Sequence, residues 1–377
     1  MKILFDNQIF ELQKYGGISR YFCELFKKFN NYSDIQYQLP IRNSINEYLS
    51  KIEPFNKQDL YPHVTARMRG KTLINKILDI FDKNSNKNIV KKALLEQNFD
   101  IFHPTYYSPY FLKYLGSKKL VVTIYDMIHE IYPEYFLSDK GKTINNKRKL
   151  VMRADKIIAI SESTKKDIIK FYNIPEDKIK VIYLGNSLIP SQNELSDKTN
   201  ICKGYILFVG SRNLYKNFLF FVKSVAPLLK KDPNLKIITT GGGKFSPEET
   251  SLFNQLEIVD QISQVSVNDT ELAKLYKNAI CFVFSSLYEG FGIPILEAMS
   301  CDCPAVLSNT SSLPEIGGDA AEYFDPMNSD NILNAVSKVI NNKELRKMMI
   351  LKGKEQLKKF SWDKTAKETV ELYRDIL

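Results

Sequence analysis

The segment Ser285-Ser-Leu-Tyr-Glu289-Gly290-Phe291-Gly292-Ile-Pro294-Ile295-Leu-Glu297-Ala-Met299 holds the residue types best suited to chemistry in this chain. It follows the apolar run Cys281-Phe-Val-Phe284, so a buried strand is expected to deliver it. Gly290 and Gly292 permit a tight turn and close approach of a ligand to the backbone. Pro294 suits the first position of a helix, which puts Glu297 in or just after the first helical turn. A helix start offers unpaired N–H groups and a partial positive charge, a seat for phosphate. Glu289 and Glu297 would flank that seat, and a carboxylate can accept two hydroxyl hydrogen bonds from a sugar or ribose. Taken singly, Glu297 reads as a helix-dipole partner and Glu289 as a solvated turn residue. The company of the glycines and the proline favours a binding loop.

A second loop supplies cations. Gly210-Ser-Arg212-Asn-Leu-Tyr215-Lys216-Asn217 follows the run Tyr205-Ile-Leu-Phe-Val209, and Arg212 and Lys216 there would neutralise a diphosphate and stabilise it as a leaving group. In isolation the same residues also fit a solvated basic turn. Near the start of the chain, Tyr15-Gly16-Gly17 lies in another strand–turn–helix passage, where the glycine pair serves either a phosphate contact or an ordinary tight turn. Metal chemistry has little to work with. There are three histidines, His63, His103 and His129, and five cysteines with no C-x-x-C spacing, which argues against both a metal centre and a disulfide scaffold and fits a reducing compartment.

The elements that must position these loops alternate regularly. Short apolar runs at Lys2–Phe5, Ile101-Phe102, Leu120–Ile124, Lys156–Ile160 and Lys180–Tyr183 are separated by helical stretches such as Ser163–Tyr172. Residues 189–203 are polar and aperiodic and read as a linker. A second series follows: Tyr205–Val209, a helix from about Asn217, Lys236–Thr239 ahead of Gly241-Gly-Gly243, Cys281–Phe284 and Ala305–Leu307. Short buried runs between helices indicate parallel sheets covered on both faces, and two such series predict two α/β domains that bind ligand at the carboxyl ends of their strands. The expected division is 1–188, the linker 189–203, 204–360, and a terminal helix over 361–377 anchored by Trp362.

With 377 residues, 44% hydrophobic and 25% charged, the composition is that of a globular protein, and it excludes collagen-like and disordered classes. No apolar run reaches the ~18–20 residues of a spanning helix, and the acid at Asp6 interrupts the N-terminal apolar stretch too early for a signal peptide. The net charge of +10 is lopsided. Residues 1–190 hold 31 Lys and Arg against 20 Asp and Glu, net +11, whereas residues 191–377 hold 22 against 23, net −1. A basic first half points to an anionic partner: nucleic acid, a membrane surface or a phosphorylated substrate. Nucleic acid is disfavoured, because no recognisable motif is present and the paired carboxylates would repel a phosphodiester. Within 57–95, Leu73, Ile74, Ile77, Leu78 and Phe81 recur at helical spacing between Lys71, Lys76 and Lys83, which fits an amphipathic helix on an anionic bilayer or a stripe packed on the first sheet.

The spacing of Glu289 and Glu297, with seven residues between them in E-G-F-G-I-P-I-L-E-A-M, resembles the E-x7-E motif of the GT4 family of retaining glycosyltransferases. Other segments match in order: Tyr15-Gly-Gly17, Asp100–His103, Val121–Asp126, Ala154–Ser161, Val209–Asn217, Glu271–Tyr276, Ser312–Gly317 and Phe360-Ser-Trp362. The resemblance covers nearly the whole chain. It implies a GT-B fold: two facing Rossmann-like domains with a central cleft, and a C-terminal helix crossing back to the first. It also implies transfer of a sugar from a nucleotide-diphosphate donor, with GDP-mannose the first guess and UDP- or dTDP-sugars open, to a saccharide or polyprenyl-diphosphate-linked acceptor in surface-polysaccharide synthesis. No metal or bound cofactor is implied. The work would be done in the cytoplasm, with the inner face of the membrane as a possible station.

By the same resemblance, Glu289 binds the donor sugar, Glu297 the ribose, and Arg212 and Lys216 the diphosphate. Gly210, Gly290 and the backbone of Phe291, Gly292 and Ile295 complete the donor site, while Ser266 and Val267 meet the base. On the acceptor side stand Gly16, Gly17, His103, Tyr125, Asp126 and His129, with Asp126 also in a catalytic role; a structural place for His103 fits as well. Three positions depart from the pattern: Tyr125 for a common His, Tyr215 for a frequent Arg, and Asp302 for a common Gly. An epimerase or phosphorylase of the same fold, or a catalytically silent scaffold, would share much of this pattern.

Overall fold

The computed structural model describes residues 1–52, 86–188, 204–212 and 214–377. The linker expected over 189–203, and the amphipathic stripe from Leu73 to Phe81, lie outside the described residues. The chain divides into two units. Unit 1 comprises Met1–Ile160, Lys165–Tyr183 and Trp362–Leu377; unit 2 comprises Ser161–Thr164 and Leu184–Ser361.

Unit 1 is built on a six-stranded sheet of β1 (Lys2–Phe5), β2 (Gln36–Gln38), β3 (Ile101–His103), β4 (Lys119–Ile124), β5 (Lys156–Ala159) and β6 (Ile179–Val181), in the order β2-β1-β3-β4-β5-β6. Every pairing is parallel. The inner strands are buried on both faces, which is why they read as unbroken apolar runs. Two helices follow β1, Gln8–Leu12 and Gly17–Phe29. The second buries Tyr21, Phe22, Leu25, Phe26 and Phe29 at helical spacing, and Phe5 meets Phe22 and Phe26 edge-on.

The helix Trp362–Asp375 also belongs to this unit. Trp362, Ala366, Val370 and Tyr373 recur every three or four residues and are buried, Thr365 Oγ1 donates to the Tyr183 carbonyl at 2.6 Å, and Arg374 pairs with Asp34. Tyr373 Oη lies 2.6 Å from His103 Nδ1, while His103 Nε2 lies 2.9 Å from Thr123 Oγ1. His103 is wholly buried, and desolvation pushes its imidazole down to about 3. In the unfolded chain this group takes up a proton below about 6.5, but in the folded chain only near 3. Its contribution to stability is therefore whole above pH ~6.5 and is lost as pH falls toward 3, by at most about 1.4 kcal/mol per unit. Urea unfolding between pH 7 and 4 should show a shallower acid slope for His103→Gln than for the parent, and equal slopes would refute this.

Unit 2 carries β7 (Ile206–Val209), β8 (Ile237–Thr240), β9 (Ile262–Val265), β10 (Cys281–Phe284), β11 (Ala305–Ser308) and β12 (Ala321–Phe324) in the order β12-β11-β10-β7-β8-β9, again all parallel. Counted from β7, this is the 3-2-1-4-5-6 order of a dinucleotide-binding sheet. Its core gathers Phe208 and Val283 from the strands with Phe221, Val225 and Val336 from the helices Phe218–Lys231 and Ser329–Asn341. Four cysteines among the described residues, Cys23, Cys281, Cys301 and Cys303, are buried free thiols. Among the described residues no helix is long and apolar enough to cross a membrane.

Candidate functional site

In unit 2 the strand order reverses between β7 and β10, the place in a doubly wound sheet where the loops after two neighbouring strands run apart and ligands are bound. Those are the two loops singled out by residue type. They are fastened to each other. Leu287 N–H donates to the Tyr215 carbonyl at 2.8 Å, Ser285 Oγ to the Lys216 carbonyl at 2.9 Å, and Lys216 Nζ lies 2.5 Å from Glu289 Oε1. Ser286 Oγ also donates to Glu289 Oε1, at 2.6 Å. Both members of the ion pair keep some contact with solvent, 14% for Lys216 and 15% for Glu289, so a ligand can reach them. Asn217, at φ 58°, stands just before the helix Phe218–Lys231 and turns the chain out of the loop, its Nδ2 donating to the Pro326 carbonyl at 2.7 Å.

The glutamate loop is held from outside by hydroxyls. Glu289 N–H donates to Ser311 Oγ at 2.9 Å, Ser312 Oγ lies 2.9 Å from the carbonyls of Glu289 and Phe291, and Ser161 Oγ donates to the Gly290 carbonyl at 2.7 Å. Gly292 at φ 106° starts the helix Ile293–Ser300; a Cβ there would come within 2.9 Å of Ile295 and 3.2 Å of Leu313. Pro294 stands second in the helix, not first, and Glu297 fifth, just beyond the first turn. The helix start is a poorer donor than expected from sequence. Pro294 has no N–H, and the Ile295 N–H is spent on the Gly292 carbonyl at 2.9 Å. Glu297 is buried and accepts from Tyr276 Oη at 3.2 Å.

Arg212 is placed differently from Lys216. Its side chain is 4% exposed, and its Nε donates to Glu249 Oε1 at 2.6 Å. Nη1 donates to the Gly241 carbonyl at 2.8 Å, and Nη2 lies 3.0 Å from the carbonyls of Gly243 and Lys244. The guanidinium therefore ties the loop after β7 to the glycine loop after β8, whose three glycines all have positive φ (87°, 70° and 73°). Glu249 closes a capping box with Ser246 at the start of the helix Pro247–Gln255 and clamps Arg212 with the same carboxylate. The glycine run was visible in the sequence only as a strand end. Glu249 was missed, although Ser246-Pro-Glu-Glu249 is itself a capping signature.

Ser266 and Val267 follow β9 at the same end of the sheet, with Ser266 exposed just ahead of the helix Asp269–Asn278. Asp302, one of the departures from the family pattern, finds its reason here. Its φ is 54°, a region where Gly is favoured, and its carboxylate meets Lys277 at 2.7 Å and Lys354 at 3.0 Å. Burial alone would raise its pKa, but the two lysines outweigh that and hold it below the usual range.

In unit 1 the candidates divide. His103 and Tyr125 are core residues and do not suit the acceptor contacts expected of them. Both nitrogens of His103 are engaged, as described above. Tyr125 is 5% exposed, its Oη donates to the Thr105 carbonyl at 3.2 Å, and its N–H donates to Tyr107 Oη at 2.9 Å. Asp126, after β4, remains accessible at 33% and lies 3.7 Å from the fully buried Lys147 Nζ, which pairs more closely with Glu130 at 2.7 Å. His129 stacks on Phe136, ring centroids 4.0 Å apart, and desolvation followed by the Lys147 charge lowers its pKa. Gly16 precedes and Gly17 opens the helix Gly17–Phe29; the Gly16 carbonyl accepts from Ser19 Oγ and Arg20 N–H, so the pair shapes a helix start.

With this geometry in place, comparison with known proteins is informative. Residues 191–356 match the family Glycosyl transferases group 1, and residues 67–187 match Glycosyltransferase Family 4. O-antigen chain mannosyltransferase B of Escherichia coli is 29% identical over 295 residues, 75% of this chain and 76% of that protein. Among solved structures, sucrose-phosphate synthase from Thermosynechococcus elongatus superimposes with a TM-score of 0.76 at 16% identity, over 100% of this chain and 98% of that one. Anabaena Alr3699/HepE, in complex with UDP and glucose, gives 0.70 at 15% identity over 99% of each chain. These likenesses establish the GT-B fold.

Proposed function

The chain belongs to the GT4-type glycosyltransferases, and from that premise we propose that it is a retaining, metal-independent enzyme that moves a sugar from a nucleotide-diphosphate donor to a saccharide or lipid-linked saccharide acceptor during surface-polysaccharide synthesis. The observation that carries this reading is the Lys216–Glu289 pair at the strand-order reversal of unit 2, where a cation for the diphosphate and a carboxylate for the donor sugar stand within one hydrogen bond of each other. GDP-mannose is the first donor to try, since the relative named above is a mannosyltransferase; UDP- and dTDP-sugars follow, HepE having been crystallised with UDP.

On this reading Glu289 accepts hydroxyls of the donor sugar and Glu297, on the adjoining helix, those of the ribose. Gly210 and Gly290–Gly292 let the backbone approach the donor, and Ser266 and Val267 border the base. Lys216 meets the diphosphate directly. Arg212 adds its charge to the same region while holding the glycine loop. Asp126, His129, Gly16 and Gly17 are the residues of unit 1 offered to the acceptor. The departing phosphate oxygen takes the acceptor hydroxyl's proton on the face that the leaving group vacates, so configuration is retained and no side chain serves as general base. Positioning and charge stabilisation then supply the rate, as one lost oxyanion donor, worth ~3–4 kcal/mol, illustrates.

A thermal-shift series with GDP, UDP, dTDP and their sugars tests the donor assignment. A ligand that binds only the folded state, at ~100 times its dissociation constant, adds ~2.7 kcal/mol of stability. One nucleotide should shift the melting temperature clearly above the others, and no shift with any of them would overturn the reading. Transfer should also proceed undiminished in EDTA, because Lys216 at the diphosphate, with the charge of Arg212 behind it, takes the place of a divalent ion. Complete inhibition that Mn²⁺ or Mg²⁺ reverses would refute metal independence.

A further inference from the structure

A doubly wound sheet normally lays a helix over each crossover, but the connection from β3 to β4 has only the three-residue turn Leu112–Tyr114. The crossovers on either side do carry helices, one over 86–96 and one at Lys142–Arg153. The steps β2 to β3, β3 to β4 and β4 to β5 all run the same way across the sheet, so right-handed crossovers put both helices and the short connection on one face. Where the missing helix would have packed, a hollow of about 530 Å³ remains. Lys87 and Lys91 from the first helix, Lys113 with Tyr110 and Tyr114 from the connection, and Lys149 from the second helix line it.

Four lysines thus line one cavity, and among the described residues no carboxylate lines it. Among the described residues none of the four is in an ion pair. Three rest over aromatic rings instead: Lys87 at 5.5 Å from the centre of Tyr110, and Lys91 and Lys113 at 5.2 and 4.9 Å from that of Tyr114. Hydrogen bonding from Lys113 heads the causes that lower the Tyr114 pKa, with the charges of Lys113 and Lys91 adding to it, in keeping with two ammonium groups close to its ring. Leu112 and Lys149 also line an adjoining hollow of about 630 Å³, which brings in Arg148 and Arg153. Lysines gathered around an open cavity act as point charges, and a compact anion of more than one negative charge relieves their mutual repulsion best.

We propose that this hollow is a binding site for a phosphate or diphosphate group, independent of the loops at Lys216 and Glu289. The group comes either from a soluble phosphorylated compound or from the headgroup of an anionic lipid, since the lysines recognise the oxyanion common to both.

Inorganic diphosphate, titrated calorimetrically into the full chain, is the direct probe. Lys216→Ala should leave binding at this site in place. Lys113→Gln with Lys149→Gln, both at exposed positions, should weaken it by at least about tenfold. The control pair Lys343→Gln with Lys352→Gln removes the same charge elsewhere and should leave affinity within about twofold, with melting temperatures confirming that every variant folds. Co-sedimentation with phosphatidylcholine vesicles, with and without phosphatidic acid, separates the sources. Capture by the acidic vesicles that soluble diphosphate and the Lys113/Lys149 pair both abolish supports the site with a lipid headgroup as its ligand. Diphosphate binding without such capture supports it with a soluble one. Binding that vanishes in Lys216→Ala, that is unchanged in the Lys113/Lys149 pair, or that falls equally in the control pair would overturn the proposal.

Discussion

Glu289→Ala should lose sugar transfer by two or more orders of magnitude, about 3 kcal/mol of transition-state stabilisation, while remaining folded. The argument for loss of rate is positional. Glu289 sits on the loop after β10 at the strand-order reversal, its backbone is pinned by Ser311 and Ser312, and its carboxylate faces Lys216. Such pinning is wasted on a surface carboxylate but is what a group aimed at a bound sugar needs. The argument for an intact fold is that the loop is held through main-chain atoms, which alanine keeps, and that the pair with Lys216 reaches solvent. Its removal should cost about 1–3 kcal/mol of stability, the range for a part-buried pair. Glu289→Gln sharpens the test, because it keeps the shape and the contact from Ser286 while removing the charge that holds Lys216. Transfer at a near-normal rate by folded Glu289→Ala would sink the assignment of this residue to the donor sugar.

The pattern of what could be read from sequence has a physical basis. Nine of the twelve strands appear as apolar runs: eight are inner strands, mostly buried on both faces, β10 and β4 most plainly, and the ninth, β6, is an edge strand whose Lys180 is exposed. The three that were not recognised, Gln36–Gln38, Ile262–Val265 and Ala321–Phe324, are all edge strands. Their outer faces meet solvent, so polar residues interrupt the run and no hydrophobic period survives in three or four residues. The two loops at the strand reversal were legible because glycine, proline and charge fall together within a few positions. The role of His103 was not, since its partners Tyr373 and Thr123 lie 270 and 20 residues away and only the folded chain brings them to its two nitrogens. Asp302 looked unexplained for the same reason: its positive φ and its two lysines are properties of the turn in place.

Arg212 shows how a charge assigned from sequence to the ligand can be committed to the fold as well, and Arg212→Met should expose that commitment as a loss of about 3–5 kcal/mol in unfolding free energy. Its side chain and that of Glu249 are 4% and 8% exposed, so deleting the guanidinium leaves a buried carboxylate whose one remaining donor among the described residues is the Ser246 N–H. The carbonyls of Gly241, Gly243 and Lys244 lose their donors at the same stroke. Arg212→Lys keeps the charge but cannot span Glu249 and three carbonyls with one ammonium, so it should recover only part of the stability. The glycine loop cannot compensate, because a close backbone contact with Gly210 already fixes its path: a Cβ at Gly241 would lie 2.9 Å from the Gly210 carbonyl oxygen. Donor affinity should fall with stability in Arg212→Met, whereas Lys216→Ala should weaken the donor with little effect on unfolding. Urea denaturation alongside nucleotide titration of both variants separates the two roles. If Arg212→Met were as stable as the parent and lost only donor binding, the guanidinium would belong to the diphosphate alone.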